Sequence, residues 1–391
     1  MSEWKECTIG ELCSNICSGG TPNRSNDSFY NNGNIPWLNT KEVSFNRIYQ
    51  TENFITELGL KNSAAKWIPQ NTVVVAMYGA TAGKSAIVKI PVTTNQACCN
   101  LTIDGSKADY RFVYYSLFNR YEHLASLANG GAQQNLNAGL IREFKISVPE
   151  LETQTKIADI LSSLDDKIEL NNQINRNLEE QAQILFKNYE ENKPFEVMKI
   201  ADVADINPDS FGLKDSWSFV NYLDTSSITQ NVISELQYIN LNEEKLPSRA
   251  KRKVLENDIV YSTVRPNQLH FGFINEVKPN MLVSTGFAVI RSKNLLVSNE
   301  YIYLNLTKRD TIEKLQQIAE QSVSTFPAIK PSDIGDCLIN VFEKKDAEIL
   351  NNQLSAVFKK ISQNNQENQR LALIRDSLLP KLMSGEMELG C

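Results

Sequence analysis

The sequence predicts an α+β protein in which two similar globular parts, mixed and β-rich, are separated by two long helices that form an antiparallel coiled coil. The main observations are an internal repeat, in which Lys167 aligns with Lys360, and coiled-coil spacing of apolar residues at the end of each copy. The 391 residues also suffice for two domains, each with its own core. The predicted divisions are residues 1–150 and 195–342 for the globular parts, 151–194 for the first helix, and 343–391 for the second helix and C-terminal tail.

The repeat is clearest near the ends of the two copies. Residues 167–186, KIELNNQINRNLEEQAQILF, align with residues 360–379, KISQNNQENQRLALIRDSLL, and FKISVPE (144–150) aligns with CLINVFE (337–343). With small gaps, PWLNTKEV also matches NYLDTSSI, and NTVVVAMY matches NDIVYSTV. Such self-similarity indicates one structural unit that occurs twice, which predicts an internal pseudo-two-fold repeat.

Each globular part contains short runs of β-branched and aromatic residues between Gly, Pro and Asn turns, which predicts strands. In the first part these runs are TVVVAMY, SAIVKI, NLTIDG and FKISVP, and in the second they are NDIVYSTV, HFGFINE, GFAVIRS and CLINVF. Helical stretches are expected near residues 109–128 and 300–320. The combination predicts a mixed fold in both parts.

The two long helices are predicted from apolar residues that recur in alternating steps of four and three. In residues 157–185 and again in residues 350–378, these positions are mostly Ile, Leu and Val, with Asn in the middle. Proline disrupts a helix because it lacks the backbone N–H. We therefore expect the helices to end before Pro194 and Pro380.

The two helices are expected to pair with each other, because an isolated helix is marginal in water. A compact domain usually has its termini close together, so the second globular part would begin and end near one point and the helices would run antiparallel. The predicted register places Asn171 opposite Asn364, Ile157 opposite Leu378, and Leu185 opposite Leu350. Central Asn pairs fix the register of a coiled coil; the alternative is that these Asn side chains are merely solvated.

Composition excludes several classes of protein. The sequence has only two histidines, His123 and His270, too few for a His-rich zinc site or an H-E-x-x-H hydrolase. Cys7, Cys13 and Cys17 lack the spacing of a metal site, so no metal ligand is predicted. Seven irregularly spaced cysteines, no signal-like start and no long apolar run predict a cytoplasmic chain with reduced thiols and no membrane segment.

A phosphate-binding motif is nearly present but incomplete. YGATAGKSAIV resembles a P-loop, yet Gly79 and Gly83 are one residue too close together. The residues after Lys84 and Ser85, AIVKIPV, are β-like, so no helix N-terminus would receive a phosphate. A Gly-rich hairpin loop is the preferred interpretation.

No other catalytic motif is convincing. Pro208-Asp209 with Glu243-x-Lys245 fits a PD…(E/D)xK nuclease triplet, but such triplets arise by chance in most chains of this size. The tetrapeptide of amino-methyltransferases is missing, and no Ser or Cys has the matched His and acid of a nucleophile triad. We therefore predict no catalytic residue in this chain.

The remaining polar and basic residues favour DNA binding from loops. GGTPNRSN and GGAQQNLN are rich in Arg, Asn and Gln, which pair with the edges of guanine and adenine. SRAKRKVLEND is the most basic segment, and RPNQ follows the strand at which the first copy has its Gly-rich loop. The candidate DNA-binding residues are Thr21, Asn23, Arg24, Tyr78, Thr81, Lys84, Gln133, Gln134, Asn135, Arg249, Lys251, Arg252, Arg265 and Asn267.

The overall charge limits how DNA could be bound. The formal net charge is −6 and the pI is about 5.3. An acidic protein is not held on DNA mainly by diffuse attraction to phosphates. Binding would therefore use local patches, together with a more basic partner.

Taken together, these phrases resemble a known family. The order GGTPNRS, IPWLNTKEV, YGATAGKSAIV, TNQACCNL and GGAQQNLNAGLIREFKISVPELETQTKIADILSSLDDKIE, with the tail SLLPKLMSGEMEL, is similar to the DNA-specificity (S) subunit of Type I restriction–modification systems. The resemblance covers the whole chain. The second globular part departs from it, since it lacks the GGTP loop and has RPNQ in place of the Gly-rich hairpin.

The resemblance implies a reader of a split double-stranded DNA site, with one target-recognition domain for each half. The paired helices would set the spacing and dock the methyltransferase (M) subunits, and an endonuclease/translocase (R) subunit would join them. Catalysis, with S-adenosylmethionine, ATP and Mg, would belong to these partners, and this chain would need no cofactor. Two alternatives stay open: a P-loop-like nucleotide-binding enzyme, and a coiled-coil scaffold that binds only protein.

Overall fold

The computed structural model describes residues 4–128, 135–212, 214–321 and 327–387. Within them the chain forms two compact units. Unit 1 combines Met1–Ile168 with Gln369–Cys391, and unit 2 is the continuous segment Glu169–Asn368. None of the helices in the described ranges is long and apolar enough to span a membrane.

Three sheets are found in the described residues of unit 1. Their strands are β1 (Lys5–Thr8), β2 (Cys13–Ser18), β3 (Ile35–Leu38), β4 (Asn46–Ile48), β5 (Phe54–Ile55), β6 (Trp67–Ile68), β7 (Val73–Ala76), β8 (Ser85–Val88), β9 (Val92–Thr94), β10 (Cys98–Ile103) and β11 (Lys145–Val148). They form the pair β1-β11, a five-stranded sheet in the order β2-β10-β7-β8-β4 and a four-stranded sheet in the order β5-β3-β9-β6. In the four-stranded sheet β3 and β9 run parallel, whereas the outer strands are antiparallel to them.

Short helices connect these strands. They are α1 (Ile9–Leu12), α2 (Glu57–Lys61), α3 (Tyr110–Asn119), α4 (Tyr121–Ser126) and α5 (Ala138–Glu143), and a long helix, α6 (Leu151–Asn192), follows β11. The Thr8 hydroxyl caps α1 by accepting a hydrogen bond from the Glu11 amide at 3.3 Å, while the Glu11 carboxylate accepts one from the Thr8 amide at 2.7 Å. Helices α3 and α4 confirm the helix predicted near residues 109–128, with a break at Arg120.

The main core of unit 1 lies between the five-stranded sheet, α3 and the long helices. Two segments far apart in the chain contribute to it, since the start of α6 and the C-terminal segment both supply buried apolar side chains. Examples are Val75, Phe112, Ile157, Leu161 and Leu379. The C-terminal residues are therefore part of the hydrophobic core of unit 1.

Unit 2 contains a second set of sheets. Its strands are β12 (Phe195–Lys199), β13 (Ala204–Ile206), β14 (Phe219–Leu223), β15 (Ile228–Thr229), β16 (Val232–Ile233), β17 (Gln237–Asn240), β18 (Ala250–Lys253), β19 (Ile259–Ser262), β20 (Phe271–Phe273), β21 (Met281–Ser284), β22 (Phe287–Ser292) and β23 (Leu338–Phe342). Its described residues form the pairs β12-β23 and β15-β16 and two four-stranded sheets, β13-β22-β19-β20 and β17-β14-β21-β18. In the second of these sheets β14 and β21 run parallel.

The helices of unit 2 pack apolar side chains against one face of the sheet β13-β22-β19-β20. They are α7 (Ile200–Val203), α8 (Asn299–Leu306), α9 (Arg309–Glu320) and α10 (Pro331–Gly335), and the last helix is α11 (Lys344–Met383). Helices α8 and α9 confirm the helix predicted near residues 300–320. The core packs Phe186, Tyr301, Leu304, Leu350 and Leu354 against the sheet.

The two units share one topology. The order β17-β14-β21-β18 repeats β5-β3-β9-β6, with the parallel pair in the middle of both sheets. The order β13-β22-β19-β20 repeats β2-β10-β7-β8, and β12-β23 repeats β1-β11. This confirms the predicted fold class, two similar mixed parts joined to two long helices.

The ends of the long helices agree only partly with the prediction. Helix α6 ends at Asn192, before Pro194 as expected, but α11 continues through Pro380 to Met383. The predicted end was wrong because proline removes only its own N–H donor, and the helix continues beyond it, with the Ser384 amide donating to the Pro380 carbonyl at 3.0 Å. Leu379 and Leu382 are buried in the core of unit 1, which holds this turn in place.

Within unit 2 the two helices pair antiparallel through a set of Asn side chains, but not in the predicted register. Asn171 donates a hydrogen bond to the Asn368 side chain at 2.9 Å, and Asn364 donates one to Asn175 at 2.8 Å. The predicted pairing of Asn171 with Asn364, and with it the register that placed Ile157 opposite Leu378 and Leu185 opposite Leu350, is wrong by about one helical turn. Apolar spacing repeats every turn or two and fits both registers, whereas only the observed one gives each buried amide an amide partner.

Candidate nucleic-acid interface

In unit 1, several of the polar segments contact the turn between β9 and β10. Asn95 directly follows β9, its side-chain amide donates a hydrogen bond to Asn39 Oδ1 at 3.1 Å, and its backbone N–H donates to Leu38 at 3.0 Å. The Met77 amide, at the end of β7, donates to the Ala97 carbonyl at 2.8 Å. The ends of β3, β7 and β9 therefore meet beside the turn between β9 and β10.

The GGTP loop docks on the same turn. The Gly20 amide donates to the Thr94 carbonyl at 2.9 Å, and a Cβ at Gly19 would lie 2.1 Å from that oxygen, so only glycine permits this approach. Thr21 is half-buried, whereas Asn23 and Arg24 are exposed. The Asn23 side chain accepts from the Ser25 amide at 3.1 Å and thereby shapes its own turn. The exposed Arg24 is the basic residue of this loop.

The segment 78–85 forms the predicted hairpin loop. Residues Gly79–Thr81 make a 3₁₀ turn, and Ser85 begins β8, which pairs antiparallel with β7. Because a strand follows Lys84, the geometry does not support a P-loop. Tyr78 is 39 % exposed, and the hydroxyl of Thr81 donates to the Thr40 carbonyl at 2.8 Å.

The remaining candidates of unit 1 lie close to this hairpin or outside the described residues. The Lys84 ammonium donates to the Ser44 hydroxyl at 3.4 Å. Asn135 is exposed, and the amide of the next residue, Leu136, donates to Met77 at 2.9 Å. Gln133 and Gln134 lie outside the described residues. The hydrogen bond between Leu136 and Met77 therefore places Asn135 near Tyr78, although the two residues are far apart in the sequence.

In unit 2 the basic segment is not a loop, as the sequence suggested, but includes the strand β18. Strand β18 is the last strand of the sheet β17-β14-β21-β18, in which it pairs only with β21. Arg249 and Lys251 are exposed, whereas Arg252 is partly buried and donates to the Ser210 hydroxyl at 3.3 Å. Lys253 pairs with Asp215 at 2.5 Å. The sequence missed the strand because Lys and Arg are uncommon in strand interiors, and pairing with β21 overrides that preference.

The RPNQ segment occupies the tip of the hairpin between β19 and β20. Arg265 has a left-handed backbone (φ 47°) and leads into the 3₁₀ turn Pro266–Gln268. The amide of Arg265 donates to the Pro327 carbonyl at 3.0 Å, and that of Asn267 donates to the Gln316 side chain at 3.3 Å. The hairpin corresponds to the one at Tyr78 in unit 1.

In unit 2 the basic segment and the RPNQ hairpin both contact the turn between β21 and β22. The Thr285 amide donates to the Arg249 carbonyl at 2.8 Å, and the Thr263 amide donates to the Gly286 carbonyl at 2.8 Å. A Cβ at Gly286 would lie 2.7 Å from the Thr225 side chain, so the segment after β14 packs on the same turn. Unit 2 therefore repeats the arrangement of unit 1 with different side chains.

The nuclease-like triplet has a structural explanation. Asp209 accepts a hydrogen bond from Arg291 at 2.8 Å, and Arg291 also pairs with the buried Asp258. No group of three or more His, Cys, Asp and Glu side chains in the described ranges is arranged to hold a metal ion. Asp209 therefore belongs to an ion-pair network.

Sequence reasoning missed the residues at the ends of the parallel strands. Asn39 and Asn95 in unit 1, and Asp224 in unit 2, lie at the convergence points described above but were not among the candidates. The alignment of PWLNT with NYLDT was a usable signal, since it matches Asn39 to Asp224. Their shared position becomes apparent only when the parallel strands are paired.

Known proteins of one family are similar to this chain. Residues 1–180 match the family model of the Type I restriction modification DNA specificity domain. The specificity subunit of the Type I restriction enzyme MjaIX from Methanocaldococcus jannaschii is 26 % identical over 99 % of this chain and 96 % of its own. The first 180 residues therefore match a Type I DNA specificity domain, and the whole chain is similar to a Type I specificity subunit. The similarity to the MjaIX subunit extends beyond the first 180 residues and across unit 2.

Two further specificity subunits are similar to this chain. That of EcoR124I/EcoR124II from Escherichia coli is 30 % identical over 48 % of this chain and 46 % of its own. The crystal structure of the S subunit from M. genitalium superimposes with a TM-score of 0.53 at 17 % identity, and it covers 97 % of this chain and 96 % of that one. At that identity, the structural match supports the fold alone.

Proposed function

We propose that this chain is a specificity subunit that reads a split site in double-stranded DNA, with one half-site for each globular part. The observation that carries this proposal is the shared topology of the two units combined with different polar side chains at corresponding places. Gly79–Thr81 in one hairpin corresponds to Pro266–Gln268 in the other, and Asn39 corresponds to Asp224. One scaffold with two sets of side chains suits two unlike half-sites.

Local cations support binding without a strongly basic surface. In unit 1 the exposed Arg24, Lys41 and Lys66 lie around the converging loops, and in unit 2 Arg249 and Lys251 do so. A few such contacts orient a protein on phosphates, while base edges supply specificity. Because the whole chain is acidic, we propose that a partner provides most of the phosphate contacts.

The long helices are proposed as the docking site for the methyltransferase subunits, with an endonuclease/translocase subunit completing the restriction complex. Apolar side chains exposed on α6 and α11 support this, since Ile184 is 69 % exposed and Leu373 70 % exposed. Contiguous exposed apolar surface marks protein interfaces, and Leu373 and Ile374 are consecutive exposed residues of α11. S-adenosylmethionine, ATP and Mg would be bound by these partners, and this chain would be non-catalytic.

Methylation mapping tests the proposal. The full chain is co-expressed with the methyltransferase subunit, and methylated adenines in the host genome are sequenced. We expect methylation at one bipartite motif with an unspecified spacer, and no methyl transfer by the purified chain alone. A complex that methylates or binds DNA without sequence preference would contradict the proposal and favour a protein-only scaffold.

Single-residue variants sharpen this test. Arg24→Ala and Arg249→Ala should each weaken specific DNA binding by about 1–3 kcal/mol if the side chain contacts a base. Arg309→Ala, which removes an 89 % exposed cation on α9 that pairs with Glu313, is the control. Equal affinities for wild type and both test variants would show that these two loops do not contact DNA.

A further inference from the structure

The two units place one residue at the same structural position. In unit 1, β3 and β9 run parallel with Leu38 beside Thr94, and Asn39 directly follows β3. In unit 2, β14 and β21 run parallel with Leu223 beside Val283, and Asp224 directly follows β14. Both residues precede a 3₁₀ turn, Thr40–Glu42 after Asn39 and Thr225–Ser227 after Asp224. The backbone is therefore alike at these two positions, and the side chain differs by one functional group.

Asn39 borders a polar cleft of about 600 Å³. Its Oδ1 accepts from Asn95 at 3.1 Å, and its Nδ2 has a long contact, 3.4 Å, with the Trp37 carbonyl. A second lone pair and a second N–H are left for a ligand. Arg24, Lys41 and Asn53 line the same cleft. The lining thus combines amides and cations with one carboxylate, that of Asp27.

Asp224 presents a charged acceptor instead. Its carboxylate accepts from the Tyr222 hydroxyl at 2.9 Å and from the Ser226 hydroxyl at 3.3 Å. Partial burial alone would raise the pKa of Asp224, but these hydrogen bonds and those from backbone amides outweigh it and lower the pKa. The side chain is therefore ionised at neutral pH and can accept hydrogen bonds but cannot donate one.

Cations flank both positions. Strands β6 and β18 run antiparallel to the parallel pairs, so each begins at the edge where those pairs end. Lys66 directly precedes β6, and Arg249 directly precedes β18; both are exposed. A cation beside a base-reading group is the usual arrangement, since phosphate contacts position the protein and side chains in the groove read the bases.

We propose that Asn39 and Asp224 are corresponding specificity-determining residues, each reading one base of its own half-site. This inference rests on the proposed function. An amide donates and accepts, which matches the N6 and N7 atoms of adenine, so Asn39 selects adenine. An ionised carboxylate accepts only, so Asp224 selects the exocyclic amino group of cytosine and rejects the acceptor edge of guanine.

Reciprocal substitutions test this pair. Asn39→Asp and Asp224→Asn are each made in the full chain, and the complex with the methyltransferase subunit selects sites from a random double-stranded library. We expect Asn39→Asp to change the base preference at one position of one half-site, from adenine towards cytosine, by roughly tenfold or more. Asp224→Asn should change one position of the other half-site and leave the first unaltered.

Asn34→Asp is the matched control, because Asn34 is exposed and lies at the opposite end of β3. It should leave the selected motif unchanged. If wild type selects a bipartite motif and both swaps leave it unaltered, this inference is wrong and the proposed function stands. A swap that lowers the melting temperature and weakens binding to all sequences equally shows a structural role and also overturns it. If wild type selects no motif, both proposals fail.

Discussion

At the scale of single residues, Glu179 on α6 is a carboxyl group of unit 2 with a raised pKa. The Asn231 side chain donates to its carboxylate at 2.5 Å and also contacts the hydroxyl of the buried Tyr303 at 2.7 Å. Burial raises the pKa of Glu179 to about 7 despite these hydrogen bonds. Asn231 has a left-handed backbone (φ 66°) in the hairpin β15-β16, so Glu179 fixes that hairpin on the helix.

This environment predicts a pH dependence of stability. The folded chain holds the Glu179 proton up to about pH 7, whereas the unfolded chain releases it near the ordinary value of 4.5. Stability from the protonated form is therefore complete below pH 4.5 and is lost as the pH rises through 7, by about 3 kcal/mol at most. Glu179→Gln, which stays neutral, should lose less stability between pH 5 and pH 8 in urea unfolding.

Glu180→Gln is the control for that experiment, since Glu180 is the exposed neighbour on the same helix. It should keep the wild-type pH dependence. If Glu179→Gln and wild type lose the same free energy of unfolding over this range, Glu179 does not titrate as described.

At the scale of elements, the helix pair of unit 2 depends on a polar layer. Asn171, Asn175 and Asn364 are 1 %, 8 % and 2 % exposed, and each bonds an Asn of the other helix. A buried amide without a partner costs about 1–3 kcal/mol, whereas replacement of both partners by apolar groups can be neutral or stabilising. The layer therefore penalises every register that breaks these pairs.

A double-mutant cycle tests this layer. Asn364→Leu alone should destabilise unit 2 by about 1–3 kcal/mol, because Asn175 Oδ1 loses the hydrogen bond donated by Asn364. The double variant Asn175→Leu with Asn364→Leu should recover part of that loss in urea unfolding. Asn177→Leu, at an exposed position of α6, should have little effect. Additive losses in the double variant would contradict the proposed pairing.

At the scale of the whole molecule, the two units differ in how they are assembled from the chain. Unit 2 is one continuous segment, whereas unit 1 needs the residues from Gln369 onwards to complete it. Leu379, Leu382 and Met383 lie in the core of unit 1. Loss of one buried leucine typically costs about 2–5 kcal/mol.

Truncation should therefore affect the units unequally. A chain that ends at Asn368 should lose protection of unit 1 in hydrogen exchange, while unit 2 stays protected. The segment 169–368 expressed alone should unfold cooperatively on heating. Equal loss of protection in both units, or a segment 169–368 with no cooperative transition, would contradict the division into a continuous and a discontinuous unit.

The sequence by itself determined the architecture. The repeat, the two long helices and the mixed globular parts all followed from local patterns, because apolar spacing and turn residues depend on near neighbours in the chain. The same reasoning placed Arg24, Tyr78 and Arg265 in polar turns, and the structure has them there. It also identified the Gly-rich segment as a hairpin, since β-branched residues follow Lys84.

Only the tertiary structure decided what depends on contacts between distant residues. The helix register, with Asn171 beside Asn368, required knowledge of which buried amides find partners. The shared position of Asn39 and Asp224 required the parallel pairing of β3 with β9 and of β14 with β21. Strand pairing joins segments far apart in the chain, so the spacing of residues along it does not specify which loops meet.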